Sequence, residues 1–175
     1  MNSPLQQGGK SLSVKELVLY AVLSAFLLAV QVGLAFLPNV ELVSLLLIIY
    51  TRVLGKKALY PLYVFVLAEG LIYGFGIWWI NYLYIWTILV LVTLIFKRME
   101  SVLFWTVISG MYGLLFGTLS SIPYFFIGGP GMVATYIING IPFDLLHCVG
   151  NLVITFILIK PLHLLMQRLV TKYFG

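Results

Sequence analysis

Long apolar runs follow one another along this sequence, and the basic residues fall only between every second pair of them. A helix needs about 20 apolar residues to cross a hydrocarbon core of about 30 Å. In lipid each backbone polar group must be satisfied inside its own segment, which leaves helices as the spanning element for runs of this kind. The spacing therefore predicts an all-α integral membrane bundle of six transmembrane helices. With 62% hydrophobic and 9% charged residues and a mean hydropathy of +1.11, too few polar side chains exist to cover a water-facing surface. A chain of 175 residues is filled by six such spans, so residues 1–13 are expected to form a cytoplasmic N-terminal tail and 14–175 a single membrane domain.

The first run extends from about Val14 to Leu37 and stops at Pro38 and Asn39. The second, between Glu41 and Val53, is the weakest: its roughly 13 residues fall below spanning length. The third starts near Ala58 and ends at the glycines around Gly74, and the fourth covers roughly Tyr82 to Phe96. The fifth runs from Val102 to Ile127, and the turn Gly128 to Gly131 precedes a last stretch ending near Lys160. On this map Lys10, Lys15, Arg52, Lys56, Lys57, Lys97, Arg98, Lys160, Arg168 and Lys172 all share one side. The positive-inside rule then makes both termini cytoplasmic in a bacterial plasma membrane. Cys148 is the only cysteine, so an internal disulfide and a cysteine-rich metal centre are excluded. No cofactor is called for, and the net charge of +5 reads as membrane topology, with no nucleic-acid partner implied.

The side without lysine or arginine carries the candidate site. Trp78, Trp79, Asn81, Tyr82, Tyr84 and Trp86 crowd one short segment, with Tyr124, Tyr136, Asn139 and Asp144 on later outer segments and Asn39 and Glu41 on an earlier one. An interfacial aromatic belt accounts for single tryptophans and tyrosines. Their density, with Asn81 among them, also suits the flat apolar walls and few polar handles of a small-molecule pocket. Glu69 lies inside the third run, where an ionised side chain is costly unless paired or hydrated. It accepts hydrogen bonds from neighbouring helices, stays protonated or faces a ligand cavity; Tyr73 lies one turn further out on the same face. Asp144, His147 and Asn151 follow i, i+3, i+7 spacing and form one stripe beside Cys148. Two ligands are a weak metal signal, and a polar stripe lining a cavity is the preferred reading. In the first span Ala21, Ala25 and Ala29 give a smooth face, suited to packing inside the bundle or to docking a partner.

Phosphate-loop, HExxH and GxSxG motifs are missing from the sequence. The six spans, the inward termini, the alanine face and the outer aromatic segment resemble the substrate-binding S components of energy-coupling factor (ECF) vitamin transporters. The resemblance covers essentially the whole chain. It implies a vitamin ligand captured from outside, no catalytic residue in this chain, docking of Ala21, Ala25 and Ala29 onto a transmembrane coupling subunit, and two partner ATPases. The segments Pro38 to Glu41, Gly74 to Trp86 and Ser121 to Met132 look like a Firmicutes-type branch associated most with cobalamin. A pyridoxine or hydroxymethylpyrimidine compound fits an aromatic pocket with Glu69 and Asp144 equally well. A small membrane enzyme acting on lipid, with Asp144 and His147 as acid and base, is the rival class.

Overall fold

A computed structural model describes residues 12–37 and 39–174. Lys10, Pro38 and the tail up to residue 11 lie outside the described residues. The first helix, α1 (Val14–Gly33), starts at a capping box: the Glu16 amide donates to Ser13 Oγ, and the Ser13 amide donates to the Glu16 carboxylate at 2.9 Å. The other Glu16 oxygen receives Lys57 Nζ at 2.7 Å, tying the start of α1 to the turn after the second helix.

That second helix, α2 (Val43–Leu54), is the short run, and at 1.5 Å per residue it is only about 18 Å long. All its residues except the half-buried Arg52 are buried. A helix apolar on nearly every side belongs in a core, and α1, α4 and α6 pack against it. Its leading amides are met by Glu41, whose Oε2 accepts from the Ser44 N–H at 2.8 Å. A carboxylate there also answers the positive end of the helix dipole. Gly55, at φ 63°, ends α2 in a conformation that a Cβ would strain, and one tight 3-10 turn leads to α3 (Leu59–Tyr73).

Helices α4 (Ile77–Ile95) and α5 (Val102–Ser120) follow, and then α6 (Ile122–Phe174), interrupted at Gly129, where φ is 69°. The segment before Gly129 folds back on the one after it, with Tyr124 stacked on Tyr136 at 4.5 Å between ring centres. From Pro130 to Phe174 the helix runs about 67 Å, more than twice a hydrocarbon core of about 30 Å. It packs along α5 and α2, and its C-terminal part still buries Met166 and Val170 in the core.

Four helices, α1, α4, α5 and α6, are long and apolar enough to cross a membrane, as in a multi-pass membrane protein. Helices α2 and α3 are too short for that, so the six-span expectation reduces to an all-α bundle with four candidate spans. The shortfall at α2 follows from its sequence, since Glu41 caps it at one end and Gly55 stops it at the other. Large apolar side chains on the outer surface, such as Leu71 (71% exposed), Leu103 and Ile138, suit lipid as the solvent.

Basic residues gather at one end. Besides Lys57 and Glu16, Arg52 Nη2 donates to the Met99 carbonyl at 3.1 Å, and Lys160 lines a cavity with Arg52. The opposite end holds the α1–α2 loop, the α3–α4 turn and the folded-back start of α6.

Candidate functional site

Two adjoining cavities open at the end away from the basic residues. The deeper, of about 290 Å³, is lined by Gln31, Asn39, Glu41, Tyr82, Trp86, Phe116 and His147, among others. The wider, of about 510 Å³, lies between α5 and the folded-back start of α6 and takes in Tyr124, Tyr136, Asn139 and Asp144. Asn39 and Phe116 line both. Asn39 sits at φ 57°, a left-handed conformation that asparagine tolerates better than most residues, and so lets the α1–α2 loop turn over the cavities.

The chemistry of the deeper cavity centres on Glu41 and His147. Glu41 Oε1 lies 3.1 Å from His147 Nε2, and both side chains are nearly buried. Since Glu41 Oε2 caps α2, the carboxylate is held from two directions. A ladder of rings leads down to this pair: Trp78 against Tyr82, Tyr82 against Trp86, Trp86 against Phe116, and Phe116 against His147, at 5.0 to 5.6 Å between centres. The Trp86 indole N–H is buried without a partner among the described residues, and Gln31 reaches the Tyr82 hydroxyl only at 3.5 Å. The cavity thus offers a wall of edge-on and tilted aromatic rings and a carboxylate–imidazole pair, the make-up of a site for a small ring with polar substituents.

The residues expected from sequence divide into three groups. Tyr82 and His147 line the deeper cavity, and Tyr124 and Asp144 the wider one. Trp78 reaches the site through Tyr82. Trp79 and Asn81 have their polar atoms engaged elsewhere, since the Trp79 indole donates to the Val66 carbonyl at 2.9 Å and the Asn81 amide to Ser120 O at 3.2 Å. Glu69 is buried between α3 and its neighbours, with Oε1 unpartnered among the described residues, and lines neither outer cavity. Tyr73 is 54% exposed on the outer surface.

The polar stripe of α6 mostly joins helices. Asp144 accepts the Gly117 N–H at 2.9 Å, Asn151 donates to Ser109 O, and Thr155 bonds Ser109 Oγ. Opposite them α5 presents Gly110, Gly113 and Gly117, all buried. A Cβ on Gly113 would stand 2.9 Å from the His147 backbone, and one on Gly117 would strike the Asp144 carboxylate. Small residues admit this close approach, and it sets His147 opposite Glu41. Among the described residues no three histidine, cysteine, aspartate or glutamate side chains are grouped to hold a metal. Ala21, Ala25 and Ala29 lie exposed on α1, facing away from the bundle.

Gln31, Glu41, Trp86 and Phe116 belong to the site as well. Glu41 carried a sequence signal, as an acid among the polar residues of the side without lysine or arginine. Gln31 and Phe116 carried none. No protein-family model, curated protein or solved structure matches the chain.

Proposed function

We propose that this chain is the substrate-capturing subunit, or S component, of an ECF-type vitamin transporter in the cell membrane. In this reading it takes its ligand from outside and leaves ATP hydrolysis to partner subunits. The observation that carries the proposal is the deeper outer cavity, where a ring ladder ends on the buried Glu41–His147 pair. The exposed alanine face of α1 supports it, since a surface turned away from the bundle is free for a coupling subunit. In this reading the bundle has six helices, with α2 and α3 as members too short to cross a bilayer by themselves.

Size bears on the substrate. A cavity of about 290 Å³ suits a single substituted ring, and a corrinoid is far larger. The ligand class is therefore a small heteroaromatic vitamin or precursor of the pyridoxine or hydroxymethylpyrimidine kind, in preference to cobalamin. Its ring packs against Tyr82, Trp86 or Phe116, and its polar substituents meet Glu41 and His147.

Calorimetric titration of the purified chain with pyridoxine, hydroxymethylpyrimidine and cobalamin tests this. Tight binding of one small ring compound, weakened at least ten-fold by His147→Ala in folded protein, is expected. Failure of all three to bind, or binding indifferent to His147 and Glu41, would overturn the assignment.

A further inference from the structure

A third cavity, at the basic end, has no part in the outer site. It measures about 360 Å³, and its polar lining comes from Arg52 on α2, Glu100 before α5, and Lys160, His163 and Gln167 on α6. The three α6 residues follow i, i+3, i+7 spacing and so project from one face.

Arg52 is fixed before any ligand arrives. Its Nη2 donates to the Met99 carbonyl, and its guanidinium carbon lies 5.2 Å from the centre of the Trp105 ring. Trp105 donates to the same carbonyl at 2.8 Å, which anchors the platform beneath the guanidinium. Arg52 Nε is nevertheless buried without a partner among the described residues, and so is His163 Nδ1. Two of the eight buried side-chain polar atoms left without a partner among the described residues therefore border this one cavity, and an acceptor entering it would answer both. Lys160 adds a mobile ammonium and Gln167 an amide. Glu100 is the acid of the lining, leaving Arg52 and Lys160 in excess by one positive charge.

We propose that this cavity binds a phosphoryl group at the inner face of the membrane. A tetrahedral oxyanion in this cavity is well matched to the Arg52 guanidinium, with Lys160, His163 and Gln167 as further lining donors. The group belongs either to an anionic phospholipid headgroup, as in basic pockets between membrane helices on the cytoplasmic side, or to free phosphate. The proposal stands apart from the vitamin reading, because no residue is shared between the sites.

The full chain in neutral detergent is titrated with short-chain phosphatidylglycerol, short-chain phosphatidylcholine and inorganic phosphate. Thermal unfolding and native mass spectrometry follow binding. Phosphatidylglycerol is expected to bind at least ten-fold tighter than phosphatidylcholine. Arg52→Gln should weaken it at least ten-fold and Lys160→Gln three-fold or more, with exposed Lys97→Gln within two-fold of wild type. Arg52 also holds the Met99 carbonyl, so Lys160→Gln, on the exposed rim, tests the site without touching that contact. Inorganic phosphate that displaces the lipid, and depends on the same residues, identifies free phosphate as an occupant. Phosphate without effect leaves the headgroup. The proposal falls if neither anion binds in preference to phosphatidylcholine, or if Lys97→Gln weakens binding as much as Lys160→Gln.

Discussion

Shortening Glu41 to alanine removes two interactions from one carboxylate. The Ser44 amide at the start of α2 loses its acceptor, and His147 loses its partner 3.1 Å away inside the protein. Loss of a helix cap costs about 0.5–2 kcal/mol, and a buried polar group left unsatisfied costs about 1–3 kcal/mol. Glu41→Ala should therefore destabilise the protein by about 1.5–5 kcal/mol. At about 2–4 °C per kcal/mol for a chain of this size, the melting temperature falls by roughly 3–20 °C. Glu41→Gln separates the contributions, because the amide oxygen still accepts from Ser44 N–H and its NH₂ can donate to His147 in the other tautomer. Its melting temperature should stay within about 3 °C of wild type, which is under about 1 kcal/mol. Ligand affinity should nevertheless drop about ten-fold, as expected for loss of a charged hydrogen bond of about 1.5–3 kcal/mol. Thermal unfolding in detergent and calorimetry on the folded fraction read both quantities. Glu41→Ala melting within about 2 °C of wild type, or Glu41→Gln as damaging as Glu41→Ala, would refute the two-sided role of this carboxylate.

Gly113→Ala should destabilise by about 1–3 kcal/mol through overpacking against the His147 backbone, whereas Gly131→Ala, with open space around its Cβ position, should melt as wild type does. Ala25→Trp, on the exposed face of α1, should abolish vitamin uptake in cells while purified protein binds normally; normal uptake would remove α1 as the docking face. Glu69→Gln should leave ligand affinity within about two-fold, because Glu69 lines neither outer cavity; a ten-fold loss would place it in the site. Cys148→Ser supplies a cysteine-free background, in which a cysteine at Gly131 should label from outside and one at Lys56 should not.

The long helices were legible because hydrophobicity and length suffice to mark a lipid-facing element, although α5 stops at Ser120, short of the expected Ile127, and α4 starts at Ile77, ahead of the expected Tyr82. The chain reversal near Gly129 was legible for a similar local reason, since glycine and proline there leave few other conformations. The place of α2 was not, because a short apolar run reads alike whether it meets lipid or protein. Partnerships were the least legible. Glu41 and His147 stand 106 residues apart, the one before α2 and the other on α6, where Gly113 lets α5 lie against the His147 backbone. Asn81 and Trp79 looked like ligand handles on account of their types, yet helix partners 39 and 13 residues away take up their donors.

The enclosure of α2 also bears on how the protein is made. A segment of about 18 Å, leaving the ribosome ahead of most of the helices that surround it, cannot be stabilised by the bilayer alone. Its surroundings are completed only when α6, the last element, is in place. Membrane entry and final burial are then separate events for this stretch, and chains truncated before α6 should leave it open to quality-control proteases long after α1 and α4 have settled.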